Sequence, residues 1–498
     1  MSRSGCIILS SKKVNIAMIT VKLNEANFEY DIYSLIKAFY PQEEILVNMN
    51  PEADSEQISF SFVVEYAKDV LTITWNIKET ENIRSCPVHY EDRKDTKNRL
   101  KRLLYEILHE ISGRELPWGT LTGIRPTKIP LRMLEQGADE QQIRRYMKET
   151  YLISEEKENL CTQIAQTEHR LLAPIDYENG YSVYIGIPFC PSTCLYCSFT
   201  SYPIGVWKNR VDEYLEALFK EIDFVAERMQ GKILDTIYIG GGTPTSLSAE
   251  QLDRLFAKIE NTLDLSHLLE YTVEAGRPDS ITREKLETIH RHGIERISIN
   301  PQTMNQKTLD LIGRHHTVEE VIASYHLARE VGIPTINMDL IVGLPGEHME
   351  DVQHTMSVIR ELDPDNLTVH SLAIKRSARL NLEWEKYQDM HMENSEKHME
   401  LAHQTAAELS MQPYYLYRQK NMTGNLENIG FAKEGKAGLY NILIMEEKQA
   451  ILALGAGAAC KYVSDHGQTV TRSENVKDVG LYIERIDEMI ERKRKALL

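Results

Sequence analysis

Six short apolar stretches recur through the middle of the chain: YSVYIGIPF (181–189), DTIYIGGG (235–242), EYTVEAG (270–276), RISINPQ (296–302), TINMDLIVGLP (335–345) and NLTVHSLAI (366–374). Segments of helical period separate them; between the first two, Val211, Tyr214, Leu215, Leu218, Ile222 and Val225 line one helix face. Alternation repeated six times calls for parallel strands with right-handed crossovers, arranged as an open doubly wound sheet or as a barrel. In a barrel the reactive groups gather at one rim, where the strands end.

A chain of 498 residues is too long for one core, so flanking domains are expected. Residues 1–17 carry little periodicity and read as an extension. Residues 18–90 read as a small α/β domain: MITVKLNEANFEYDIYSLIKAFYP suggests a strand, a turn and an amphipathic helix, and the alternating runs of 57–79 a hairpin. Residues 91–174 turn helical around a loop, ELPWGTLTGIRPTK, where a packed Trp118 beside turns at Gly119 and Gly123 is the expectation. The strand and helix alternation occupies 175–390. It stops in 391–498, which read as a C-terminal α+β domain.

The 57 basic and 74 acidic residues give a formal net charge of -17, which disfavours a broad phosphate-tracking surface, so no nucleic-acid partner is expected. The longest apolar runs are about half of what a membrane-spanning helix needs. Seven cysteines without a charged-then-apolar leader argue against a secreted disulfide framework and for reduced thiols in the cytoplasm.

Three of those cysteines, Cys190, Cys194 and Cys197, fall on the eight residues CPSTCLYC, directly after the first strand, where one turn could aim all three sulfurs at a point. Thiolates suit soft metal centres. Structural zinc normally takes four ligands, commonly two C-x2-C pairs, and the chain has no second pair. An iron-sulfur cube on three cysteines leaves one iron open to a small molecule.

Later strands end in matching chemistry. GGGTPT (240–245) lets a ligand approach the backbone and offers the Thr243 hydroxyl. Glu274 ends the third strand, Gln302 follows the fourth, and Asp339 sits in the apolar run 338–342, where a carboxylate needs partners. Arg314, in LIGRHHT, could clamp a carboxylate bidentately. Its neighbours His315 and His316 read as solvated loop residues.

Together YIGIPFCPSTCLYCSF, GGGTPT, TVEAGRPDS, INPQT, IGRHHT and MDLIVGLPGE resemble the radical S-adenosylmethionine enzymes of the oxygen-independent coproporphyrinogen III dehydrogenase (oxidase) family. The N-terminal half and the runs YRQKNMTGNLENIGF (417–431) and YNILIMEE (440–447) are similar to its HemZ-type subgroup. The resemblance implies an α/β fold: a partial (β/α)6 TIM-like barrel between an N-terminal α/β plus helical region and a C-terminal α+β domain. It implies a 4Fe-4S cluster on Cys190, Cys194 and Cys197 whose open iron chelates S-adenosylmethionine, and a low-potential electron donor such as flavodoxin or ferredoxin. Tyr184 and the backbone near Tyr196 would contact the cofactor, Gly241, Gly242 and Thr243 its amino group, and Glu274 and Arg314 its methionyl end. Gln302 and Asp339 would hold its ribose, and the backbone near Ala373 its adenine. The implied reaction is oxidative decarboxylation of propionate side chains of the tetrapyrrole coproporphyrinogen III to vinyl groups, begun by hydrogen abstraction by a 5'-deoxyadenosyl radical.

Two positions depart from the family pattern. Phe199 stands where the dehydrogenase has a fourth cysteine, one that is not a ligand, and Gly186 where relatives often carry histidine. One branch of the family consists of haem chaperones, marked by a His-Asn-x-x-Tyr-Trp signature. The corresponding YNILIME has Tyr440 and Asn441 but neither histidine nor tryptophan, which favours an enzyme. A radical enzyme for another substrate is the third reading, because a fold does not choose a target.

Overall fold

The computed structural model describes residues 18–51, 58–77, 80–419, 426–464, 467 and 469–497. The expected extension at 1–17 and part of the run 417–431 lie outside these residues. The chain divides into two compact units, Met1–Gly123 with Asp139–Asn159, and Ile124–Ala138 with Leu160–Leu498.

In the first unit, β1 (Met18–Leu23), β2 (Glu44–Asn48), β3 (Ile58–Tyr66), β4 (Val70–Ile77) and β5 (Thr80–Pro87) form one sheet in the order β2-β1-β3-β4-β5. β1 lies parallel to its two neighbours, whereas β3, β4 and β5 form an antiparallel meander that contains the expected hairpin. Ile19, Val21 and Leu23 alternate onto the buried face. They share a core with Ile32, Leu35, Ile36 and Phe39 of helix Glu29–Phe39 and with Leu100, Leu104, Ile107 and Leu108 of helix Arg93–Ser112. The three- and four-residue spacings of those positions are what lay each helix on the sheet. Trp118 is fully buried, and Gly119 has φ +50 with Tyr151 O only 2.1 Å from where a Cβ would stand, so the loop is a packing feature.

The second unit is built on one eleven-stranded sheet. Its strands are β6 (Gly180–Ile187), β9 (Ile233–Gly241), β10 (Glu270–Glu274), β11 (Arg296–Ser298), β12 (Thr335–Val342), β13 (Asn366–Ser371), β14 (Gln412–Tyr417), β15 (Asn428–Ala432), β16 (Ala450–Leu454), β17 (Ala459–Ser464) and β18 (Thr469–Glu474). The two-residue strands β7 (Phe189–Cys190) and β8 (Tyr202–Pro203) pair separately. β6, β9, β10, β11, β12 and β13 are parallel neighbours, joined by helices such as Val211–Arg228, whose Tyr214, Leu215, Leu218, Ile222 and Val225 are buried as their spacing implies. This is the expected partial (β/α)6 barrel.

Residues 391–498 add strands to both edges of that sheet. β15 and β14 continue it antiparallel beyond β13, while β16 lies parallel to β6 and carries β17 and β18 outward. The last helix, Ile486–Ala496, is tied down by a buried ion pair, Lys493 Nζ to Glu221 Oε1 at 2.8 Å. Glu221 also accepts hydrogen bonds from Gly455 N–H (2.7 Å), Tyr482 Oη (2.5 Å) and Asn475 Nδ2 (2.9 Å). Among the described residues no helix is long and apolar enough to cross a membrane.

Candidate active site

Strand register decides what faces the interior. Tyr184 pairs with Tyr238, Glu274 with Ser298, Ser298 with Asn337, and Asp339 with Thr368, so the period-2 pleat places polar groups from six successive strands on one face. Their carboxyl ends open towards the cysteine loop.

That loop is pinned from several sides. β7 pairs with β8, Leu195 N–H donates to Ile312 O (2.9 Å), Leu380 N–H donates to Leu195 O (2.9 Å), and Ser192 Oγ donates to Gly313 O (3.0 Å). Cys190 and Cys194 are buried and Cys197 is half-buried; the six cysteines among the described residues are all free thiols. Burial pushes the Cys190 thiol up to about 11, opposed by the Thr243 hydroxyl, which donates to its Sγ at 3.3 Å. Cys197 is raised for the same reason. Among the described residues no three histidine, cysteine or carboxylate side chains converge closely enough to hold a single metal ion. Three thiols on one braced loop are soft donors of the kind that suit an iron-sulfur centre.

The glycine turn closes against this loop. Gly242 N–H donates to Ile187 O (2.8 Å) and Thr243 N–H to Phe189 O (2.7 Å). A Cβ on Gly242 would stand 2.7 Å from Phe189 O and 2.8 Å from Ile187 O, and one on Gly241 3.0 Å from Tyr184 Oη. The Thr243 hydroxyl is directed to the Cys190 sulfur.

Beneath the turn, Tyr184, Tyr238 and Tyr440 stack, with Tyr238 and Tyr440 centroids 4.6 Å apart and planes 20° from parallel. Tyr238 Oη donates to Glu274 Oε1 at 2.6 Å. Burial raises the Glu274 carboxyl to about 7, with the charge of Asp339 adding to it and the Tyr238 hydrogen bond opposing. Asp339 behaves oppositely: burial works against its charge, but His370, Asn337 and Thr368 outweigh it and hold the carboxyl below its usual range. Asn337 Nδ2 lies 2.7 Å from Asp339 Oδ1, His370 Nε2 3.7 Å from Oδ2, and Tyr417 Oη 3.3 Å from His370 Nδ1.

Gln302 takes a left-handed backbone (φ +69) and bridges to Leu340 beside Asp339; strain of that kind collects at functional sites. Its Oε1 is buried without a partner, as are Asn300 Oδ1 and Arg314 Nε. A polar ligand carrying donors and an acceptor would satisfy all three. The Arg314 guanidinium donates to the carbonyls of Asn300, Pro301 (3.3 Å) and Gly276 (3.4 Å), and its charge lies beside Cys194. Ala373 is half-buried just beyond β13.

His316 corrects the reading from sequence: it is 1 % exposed, and neither ring nitrogen has a partner. Burial, reinforced by Arg314, lowers it to about 4, so it is neutral. His315 is exposed, as expected. Arg277, Tyr238 and His370 escaped the sequence reading. Arg277 lies within TVEAGRPDS and donates to Cys194 Sγ at 3.7 Å. For Tyr238, the two-residue offset from Gly240 on an apolar strand was the available signal.

Comparison with known proteins identifies relatives of the whole chain and of its fold. Residues 184–359 match the model of the radical SAM superfamily. The oxygen-independent coproporphyrinogen-III oxidase-like protein HemZ of Bacillus subtilis is 42% identical over 94% of this chain and 95% of its own length. The heme chaperone HemW of the same organism is 35% identical over 62% of this chain and 76% of its own. Coproporphyrinogen III oxidase (HemN) from Escherichia coli, solved as a radical SAM enzyme, shares the fold with a TM-score of 0.50 and 24% identity, over 65% of this chain and 72% of that one.

Proposed function

Since the chain belongs to the radical SAM family that contains HemZ and HemW, we propose that it is a radical SAM oxidoreductase acting on a tetrapyrrole, converting propionate side chains of coproporphyrinogen III to vinyl groups. Cys190, Cys194 and Cys197 would hold a 4Fe-4S cluster. Glu274, Gln302, Arg314 and Asp339, with Tyr184, the backbone of Tyr196, the Gly241 to Thr243 turn and the backbone at Ala373, would hold S-adenosylmethionine. When bound, these cofactors supply a carbon radical upon one-electron reduction, and the protein's part is to bind, orient and shield. Glu274 in its ionised form would accept from an ammonium and Asp339 from ribose hydroxyls, with the buried tyrosine stack packed beside Glu274. A flavodoxin- or ferredoxin-like protein is the electron donor that fits this role.

The stretch YNILIME supports the enzyme over the haem chaperone, because it has Tyr440 and Asn441 where the chaperone signature would lie but neither its histidine nor its tryptophan. The Tyr440 ring stacks on Tyr238, and Asn441 Nδ2 donates to Tyr414 Oη (3.2 Å). HemW relatives keep the chaperone as the second reading.

The test is anaerobic reconstitution with iron and sulfide, followed by assay with S-adenosylmethionine, a low-potential reductant and coproporphyrinogen III. Vinyl products are expected. Cofactor cleavage without substrate turnover would point to another substrate, and stoichiometric haem binding without turnover to the chaperone.

A further inference from the structure

Arg277 is 2 % exposed and spends its donors in two directions. Nε and Nη2 grip Asp279 bidentately, at 2.9 Å to Oδ1 and 2.6 Å to Oδ2. Nη1 turns to the cysteine loop, donating to Ser192 Oγ (2.9 Å), Ser192 O (3.1 Å) and Cys194 Sγ (3.7 Å). The forked guanidinium is thus fixed by one carboxylate and applied to one ligand sulfur, a geometry lysine could not reproduce. Arg314 also lies beside this sulfur, and on the other side of the anchor the buried His316 places its Nδ1 3.9 Å from Asp279 Oδ1. Two guanidinium charges against one carboxylate leave this pocket net positive.

We propose that Arg277 is a positioning residue for the cluster: anchored by Asp279, it sets the charge and hydrogen bonding at Cys194 and thereby the ease with which the cluster accepts its electron. The inference rests on the cluster assignment made above. Reduction adds one electron from the low-potential donor, with no bond made or broken and no proton moved, so the product carries one more negative charge. A buried cation beside a ligand sulfur favours that product, and hydrogen bonds to cluster sulfurs and local charge are established determinants of cluster potential. Asp279 works against Arg277 electrostatically while holding it in place. The two residues therefore predict shifts of opposite sign.

The experiment is an anaerobic redox titration of the reconstituted full-length protein followed by electron paramagnetic resonance, with iron and sulfide content measured in parallel. Arg277→Gln is expected to retain the cluster and lower the reduced-to-oxidised ratio at fixed poise by about tenfold, a midpoint about 59 mV more negative for a one-electron couple. Arg277→Lys should fall between it and the parent, and Asp279→Asn should move the midpoint the other way. A parent protein that binds no cluster defeats the cluster assignment. A loaded Arg277→Gln with an unmoved midpoint, or Asp279→Asn unmoved or shifted to more negative values, overturns the role of Arg277. If Arg277→Gln takes up no cluster, the sign of the Asp279→Asn shift decides by itself.

Discussion

Cys460, like Cys194, is buried, but its sulfur is satisfied inside the sheet, donating to Ala453 O (3.3 Å) and accepting from Ala453 N–H (3.2 Å). Cys194 has guanidinium groups for neighbours instead. Cys194→Ala is expected to abolish both the brown absorbance of the reconstituted protein and cleavage of S-adenosylmethionine, and Cys460→Ala to keep both, as anaerobic absorption spectra and product chromatography would show. Glu274 predicts a pH dependence. Its carboxyl is raised from 4.5 to about 7 on folding, so the stability it confers is full below pH 4.5 and is lost as pH rises through about 7. Holding an ammonium needs the ionised form, so cofactor binding runs the other way. Affinity for S-adenosylmethionine should weaken roughly tenfold for each pH unit below 7 in calorimetric titrations, and Glu274→Gln should flatten that profile. The three thiols proposed as ligands stood out as candidates because they are adjacent in the chain. The contact of Arg277 with Cys194 was not, since 83 residues separate the two and nothing local to either signals it. His316 misled because a histidine doublet in a polar loop gives no sign that one of the two rings is folded beneath an arginine.

At the level of strands and turns, the alternation between 181 and 374 contained the barrel, since parallel strands with both faces covered read as apolar runs in sequence. Their inner polarity was harder to see. Thr368, Asn337 and Ser298 look like ordinary interruptions of an apolar strand until register places them side by side. The glycine turn makes a steric prediction. In Gly242→Ala the new methyl would meet two backbone carbonyls, at 2.7 and 2.8 Å, and neither can rotate away. The cost expected for such overpacking is about 1–3 kcal/mol, readable as a lower urea midpoint, together with reduced cluster uptake because the Cys190 loop must shift.

The whole second unit depends on how its last helix is fastened. Lys493→Ala leaves Glu221 buried without its cation and is expected to cost about 3–5 kcal/mol in denaturant unfolding. Lys220→Ala, which removes an exposed pair with Asp487 near the same helix, should cost about 1 kcal/mol or less. Such fastening was invisible in the sequence, where nothing local to Glu221 or Lys493 signals the pair that joins them. The pairing of β16 with β6 carries a consequence for biosynthesis. Ala450 lies opposite Tyr181 and Leu454 opposite Ile185, so the strand that leads into the cysteine loop waits for the chain's closing stretch before one of its flanks is covered. On the ribosome, Cys190, Cys194 and Cys197 emerge well before residues 450–454, so their loop precedes the strand that covers this flank.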